Sequence, residues 1–339
     1  MKALILKEGG FATKAPESIQ LTDMATHLTF GELDMPEAKE DQVVIKVSLA
    51  SVNPSDEMFI QGLYGQKRIA GKAAGFEGVG EVVSSGGGAV ADGLKGLRVA
   101  FAASPQGAWA EYVVAEAATC IPLIDAVRDE DGAAMIVNPL TAIAMFDLVK
   151  KEGEKSFIVS AGASQLCKLM ISMAKDEGYS PIALVRRDEQ IDLLKGMGAT
   201  HVLNAENGNF VEELSGICRN DKPRVFLDAV ANNTSASVFN TMGRGARWVI
   251  YGKLDTELPT IQEPGQLIFM QKQIEGFWLT SWMMTTPMEE KVAAIQTAQT
   301  RFATGEWKTD VTAILSLEEA MESLPEELAK PNGKVFIKP

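Results

Sequence analysis

Short apolar runs broken by turn residues fill the first third of the chain. Val43-Val44-Ile45-Lys46-Val47 has the density of a strand. Gly78-Val79-Gly80-Glu81-Val82-Val83 is another, ended by the turn cluster Ser84-Ser85-Gly86-Gly87-Gly88. Leu97 to Phe101 and Ala110 to Val114 continue the pattern. Several strands this short and this closely spaced predict a β-rich, barrel-like domain. Near Asp129 the period changes. Phe157 to Ser160 is an apolar run, and Leu166, Leu169, Met170, Met173 and Ala174 then recur at helical spacing. Predicted strands at Pro181–Val185, Thr200–Leu203, Arg224–Ala229 and Arg247–Tyr251 alternate with predicted helices at Asp188–Met197 and Thr234–Met242. Met270 to Leu279 adds one more strand. Such alternation implies a doubly wound parallel sheet.

After Pro287 the pattern predicts a helix to about Ala303 and a strand over Asp310–Leu315. Ser316 with Glu319 forms a capping box for a helix over Leu317–Leu324, and Gly333 turns the chain into a last strand, Lys334–Ile337. These closing pieces are β-rich again. The expected organisation is therefore one β-rich domain from residues 1–128 and 288–339, with an α/β domain, residues 129–287, inserted in it.

Length and composition sharpen this picture. At 339 residues the chain exceeds one ordinary core, and 46% hydrophobic with 23% charged residues suits a folded, soluble protein. A net charge of −13 argues against a general nucleic-acid or acidic-membrane partner. Cys120, Cys167 and Cys218 lie far apart, which predicts neither a disulfide framework nor a thiolate zinc site. The apolar run Ala3–Leu6 is too short for a signal peptide, and the longest apolar stretch, Ala133 to Phe146, is broken by Asn138-Pro139. A reducing, cytoplasmic location is the expectation.

Candidate chemistry begins at Ser160-Ala161-Gly162-Ala163-Ser164-Gln165-Leu166-Cys167, a strand-to-helix turn. A helix N-terminus offers unpaired N–H groups to a pyrophosphate. The turn has a single glycine, and Cys167 stands where a packing glycine is usual, so an ordinary βα turn explains it equally well. The next strand ends Val185-Arg186-Arg187, at the position where an NAD-binding sheet carries an acid for the ribose 2′-OH. Two guanidinium groups there suit a 2′-phosphate, so NADPH is the expected cofactor. The alternative is solvated charge answered by Asp188 and Glu189. His27 and His201 stand alone, and no metal site is expected.

Several motifs together carry a family resemblance. They are Asn53-Pro54-Ser55-Asp56, Gln61-Gly62-Leu63-Tyr64-Gly65, Gly75-Phe76-Glu77-Gly78-Val79-Gly80 and Gly107-Ala108-Trp109-Ala110-Glu111-Tyr112. Farther on come Asn138-Pro139-Leu140-Thr141-Ala142, Tyr251-Gly252, Gly276-Phe277-Trp278-Leu279-Thr280-Ser281-Trp282 and Gly333-Lys334-Val335-Phe336-Ile337. In this order, over nearly the whole chain, the set resembles the zinc-independent branch of the medium-chain dehydrogenase/reductase superfamily. The implied fold is a Rossmann-like sheet inserted in a GroES-like barrel domain. Within the superfamily the chain is similar to 2-enoyl thioester reductases and to NADPH:quinone oxidoreductases.

The resemblance implies NADPH-dependent, metal-free hydride transfer to an activated C=C bond, or alternatively to a quinone. It makes Tyr64 the proton or hydrogen-bond donor, with Asn53 and Asp56 placed to position it. Asn138 and Thr141 would bind the cofactor, Asn138 on its nicotinamide side. Gly162, Ser164, Gln165 and Leu166 would line the pyrophosphate, and Arg186 and Arg187 would hold the 2′-phosphate. Tyr251, Gly252, Phe277, Trp278 and Leu279 would close over the cofactor, and Lys334 would touch it from the last strand. A homodimer through an edge strand of the α/β sheet is implied as well. The stretch Lys67-Arg68-Ile69-Ala70-Gly71-Lys72 departs from the family pattern. Its basic residues read as solvated surface or as a contact for phosphates of a thioester substrate. Bland readings stand beside these. Tyr64 could be a turn-flanking aromatic, Phe277 and Trp278 core packing, Asn138-Pro139 a helix start, and the whole chain a redox sensor without turnover.

Overall fold

A computed structural model describes residues 1–14, 16, 18–103, 106–330 and 333–339. The chain forms two compact units, residues 1–139 with 295–339 and residues 140–294.

The first unit opens with β1 (Lys2–Leu6), β2 (Leu28–Glu32), β3 (Gln42–Ser51), β4 (Glu77–Ser85), β5 (Arg98–Ala102), β6 (Tyr112–Glu116) and β7 (Cys120–Pro122). The second unit holds β8 (Ser156–Val159), β9 (Ser180–Val185), β10 (His201–Asn204), β11 (Val225–Asp228), β12 (Arg247–Ile250) and β13 (Gln273–Gly276). The chain then returns to the first unit with β14 (Val311–Ser316) and β15 (Lys334–Lys338).

In the first unit β1 and β2 pair antiparallel, and a larger sheet runs β14-β15-β3-β4-β5-β7 with β6 paired to β3. β15 lies between β14 and β3, parallel to the one and antiparallel to the other. Apolar residues on alternate positions of β3, β4 and β5 bury Val43, Ile45, Val82, Val99 and Phe101 in one core. Trp109 is fully buried there and donates from Nε1 to the Ser51 carbonyl at 3.1 Å.

The second unit is the predicted parallel sheet, in the order β10-β9-β8-β11-β12-β13. Its middle strands are buried along their length, which is why they read as continuous apolar runs. The order reverses between β8 and β11, and that switch point is where such sheets bind ligands, at the carboxyl ends of the strands. Phe226 and Trp248 stack with centroids 6.2 Å apart beneath it.

The units divide later than the sequence reading placed them. The short helix Asp129–Ala133, expected to open the α/β domain, packs Ala133 and Ala134 against Leu49, Val79 and Phe336 of the first unit. At the second boundary the helix Met288–Ala303 begins as predicted, but Gln299 accepts a hydrogen bond from the Ile124 N–H of the first unit's chain. The segment Asp188–Met197 is a short 3-10 turn followed by the helix Ile191–Met197, and the helix from Leu317 continues through Pro325 to Ala329. No helix among the described residues is long and apolar enough to cross a membrane.

Candidate active site

All the predicted cofactor residues of the second unit except Thr141 lie just past the carboxyl ends of parallel strands. The turn after β8 leads into the helix Gln165–Asp176, whose N-cap is Ser164. The Ser164 hydroxyl accepts from the Cys167 N–H at 3.3 Å, which leaves the first N–H groups of a twelve-residue helix directed at the turn. Gly162 donates its N–H to the Leu184 carbonyl at 2.8 Å. A Cβ there would come within 2.9 Å of the Ala183 Cβ, so this one glycine is required for the turn to lie on β9. Gln165 is half-buried and Leu166 buried at the helix start.

Cys167 is fully buried, with its Sγ 3.4 Å from the Ser160 carbonyl and 3.6 Å from the Tyr251 hydroxyl. Burial pushes both the thiol and the phenol above their ordinary values, so both stay protonated. Tyr251 thus sends its hydroxyl to the thiol at the turn. Gly252 follows it after β12, while Phe277, Trp278 and Leu279 follow β13. Phe277 is anchored by its N–H to the Ile250 carbonyl at 2.9 Å. Trp278 is 40% exposed and heads the helix Leu279–Thr285.

Arg186 and Arg187 follow β9 and are both exposed. Their neighbours do not neutralise them. Asp188 accepts instead from Asn204 Nδ2 at 2.8 Å, and among the described residues no ion pair joins either arginine to Asp188 or Glu189.

Sequence reasoning missed Asp228, the acid closing β11. It is fully buried and accepts from Ser160 Oγ at 2.6 Å, Trp248 Nε1 at 2.8 Å, Val230 N at 2.9 Å and Ala231 N at 3.1 Å. It ties the turn after β8 to the loop after β11. The signal was an acid ending an otherwise apolar run, Val225-Phe226-Leu227.

In the first unit the structure brings Asn53, Asp56 and Lys334 into one buried network. Asn53 caps the helix Pro54–Ile60, and the Asp56 carboxylate accepts from the Asn53 N–H at 2.8 Å. Asn53 Nδ2 donates to Ser51 Oγ at 3.1 Å and Glu77 Oε1 at 3.0 Å, and its Oδ1 accepts from Lys334 Nζ at 2.5 Å. The Lys334 ammonium also donates to the Val52 carbonyl at 3.1 Å. Burial disfavours both charges of the cluster. It pushes the Asp56 carboxyl up to about 7 and the Lys334 ammonium down. Among the described residues Asp56 Oδ1 has no hydrogen-bond partner.

Glu77 is the second residue that sequence reasoning left without a role. Besides Ser51 and Asn53 it accepts from the backbone N–H groups of Ile136 and Val137 at 3.0 and 2.9 Å. One buried carboxylate thus fixes the start of the helix Val137–Lys151, which carries Asn138 and Thr141. Asn138 is the second residue of that helix rather than its cap, and it is half-buried, whereas Thr141 is buried. Tyr64 sits in the loop after the helix Pro54–Ile60, half-buried, its ring 5.1 Å from that of Phe76.

The basic stretch needs a correction. Lys67 is exposed, but Arg68 is buried and its guanidinium is bonded inside the unit, so it is not solvated surface.

Residues 39–125 match the alcohol dehydrogenase GroES-like domain, and residues 166–296 match the family described as zinc-binding dehydrogenase. A mitochondrial enoyl-[acyl-carrier-protein] reductase of Bos taurus is 30% identical over 266 residues, 77% of this chain and 70% of its own. The chain belongs to the medium-chain dehydrogenase/reductase superfamily. A superfamily member from Mesorhizobium loti, assigned as an NADPH:quinone reductase, is 55% identical, with a TM-score of 0.96 over 100% of this chain and 98% of its own. A mutant form of enoyl thioester reductase from Candida tropicalis shares the fold at 20% identity, with a TM-score of 0.79 over 100% of this chain and 99% of its own.

The zinc of the family's description does not fit this member. A zinc site needs three or four converging ligands. Among the described residues no group of three His, Cys, Asp or Glu could hold a metal. All three cysteines are buried, and His201 is taken by Asp221 at 2.8 Å.

Proposed function

We propose that this chain reduces a polarised C=C bond, that of a 2-enoyl thioester, with Tyr64 giving the hydrogen bond or proton. The chain is an oxidoreductase and its reductant is NADPH. The observation that carries the reading is the end of β9, where among the described residues two exposed guanidinium groups form no ion pair with the acids beside them. A 2′-phosphate suits this pair of cations, bidentate and charge-assisted. The residues of the second unit suit the rest of the dinucleotide. Gly162, Ser164, Gln165 and Leu166 form the pyrophosphate turn, Thr141 binds the cofactor, and Tyr251, Gly252, Phe277, Trp278 and Leu279 close over it. Asn138, at the end of the first unit's segment, serves the nicotinamide side. Lys334 is better supported as an internal support, because its ammonium is bonded to Val52 and Asn53.

When bound, NADPH supplies the hydride. Negative charge then develops on the acceptor's carbonyl oxygen, and a preset donor at that oxygen is worth about 2.7–4 kcal/mol. A phenol, protonated at neutral pH, suits that place. Asn53 and Asp56 fix the helix that leads to the Tyr64 loop. The test is steady-state NADPH oxidation with crotonyl-CoA. Tyr64→Phe should lower kcat about 100-fold with NADPH affinity kept. A variant of full activity removes Tyr64 from the site.

A quinone acceptor is the second reading, favoured by the assignment of the 55% identical Mesorhizobium loti protein. It uses the same donor, with charge on a ring oxygen, and a quinone panel beside crotonyl-CoA separates the two.

We also propose a homodimer through the edge strand β13. The edge is exposed, and Ile268, Phe269 and Met284 in the helices flanking it are 70, 76 and 79% exposed. Sedimentation should find a dimer, and Ile274→Lys on that edge a monomer; an unchanged mass for the variant rejects this interface.

A further inference from the structure

We infer that Arg68 is a positioning residue for Tyr64, its buried guanidinium closing the loop that carries the phenol. This rests on the reading of Tyr64 given above.

The loop leaves the helix Pro54–Ile60 and returns at Arg68, with Tyr64 midway. Arg68 is only 5% exposed. Its Nη1 donates to the Ile60 carbonyl at 2.9 Å, so the side chain at one end of the loop holds the backbone at the other. Nε donates to the Gly10 carbonyl at 3.2 Å, and the Gly10 N–H donates back to the Arg68 carbonyl at 3.0 Å. Glu8 adds an ion pair at 3.4 Å from a largely exposed carboxylate, which contributes little. The loop is packed onto this guanidinium. Gly62, at φ +77°, passes so close that a Cβ would lie 2.8 Å from Arg68 Cζ and 2.6 Å from the Ala12 N. The Gly62 carbonyl accepts from that same Ala12 N–H at 2.8 Å. On its other side the Tyr64 ring rests on Phe76, which in turn packs on Phe59 at 5.0 Å.

Two carbonyls on separate segments need two donors in a fixed fork. Arginine supplies them from one planar group, and lysine is a point charge on a flexible stem. A buried charge with its donors placed on backbone carbonyls is also costly to rearrange, so the loop has one geometry. A small displacement of a reacting group is enough to lower turnover strongly.

The experiment is a double-mutant cycle on the full chain with NADPH and crotonyl-CoA. Arg68→Lys should lower kcat about tenfold and leave the KM for NADPH within about twofold. Added to Tyr64→Phe, it should cost less than about twofold more, because the phenol it positions is gone. Gly62→Ala, which pushes on the guanidinium from the loop side, should reproduce the loss of kcat even where Arg68→Lys folds poorly. Hydrogen exchange over residues 61–67 should rise in Arg68→Lys. Equal losses in both tyrosine backgrounds, or unchanged kcat and exchange, overturn the positioning role while leaving Tyr64 in place. A silent Tyr64→Phe with a raised exchange rate instead overturns the tyrosine reading, and this proposal with it.

Discussion

The two units place their candidate-site charges differently. In the first, Asn53, Asp56, Glu77 and Lys334 are buried and bonded to one another. In the second, the cations expected to meet the ligand, Arg186 and Arg187, are exposed, while the buried acid that closes β11, Asp228, is sealed by four donors. Buried charge bonded into a network fixes backbone; exposed charge that forms no close ion pair is available to a ligand. The difference teaches which residues should register in stability and which in affinity.

Glu77→Ala should have the largest effect. It strands Ser51, Asn53 and the N–H groups of Ile136 and Val137, and should cost about 3–5 kcal/mol of unfolding free energy in urea titration. A loss below about 1 kcal/mol would mean that the network does not hold the unit together. Next comes the pair Arg186→Ser with Arg187→Ser. NADPH should bind about 10- to 100-fold more weakly by calorimetry, with NADH unaffected and stability within about 0.5 kcal/mol of the parent. Destabilisation on the scale of Glu77→Ala would erase the contrast between the units.

A pH titration sharpens the contrast within the first unit. Burial pushes both Asp56 and Glu57 up to about 7. The unfolded chain releases these protons near 4, so between about pH 4 and 7 the folded chain holds protons that the unfolded chain has lost. Stability should therefore fall as pH rises through that window. Asp56→Asn should flatten the slope, leaving only the part due to Glu57. An unchanged slope in the variant would show that Asp56 ionises normally.

The second unit was largely legible because its central strands are unbroken apolar runs with turn residues between them, and burial on both faces demands that pattern. The helix Phe210–Asp221 was not, because only Phe210, Leu214 and Cys218 are buried along it. In the first unit β1, β2 and β7 went unread, being short pieces whose pairing comes from distant partners. Of the candidate site, the resemblance supplied most residues, and the structure drew Asn53, Asp56 and Lys334 together. Arg68 looked like part of a surface charge run because its acceptor at Gly10 lies 58 residues away, a distance no local pattern conveys. Glu77 and Asp228 were visible as acids in apolar surroundings, but the Glu77 donors and the Ser160 and Trp248 donors to Asp228 come from segments remote in sequence.

The bond from Lys334 to Asn53 joins residues 281 apart, with the whole second unit between them. At translation rates of about 5–20 residues per second, Asn53 leaves the ribosome roughly fifteen seconds to a minute before its lysine is made. Late in that interval β3 still lacks the neighbour that β15 will become, while the intervening parallel sheet has all its strands. Synthesis order therefore favours maturation of the parallel-sheet unit first, with the unit that carries Tyr64 completed by strand insertion afterwards.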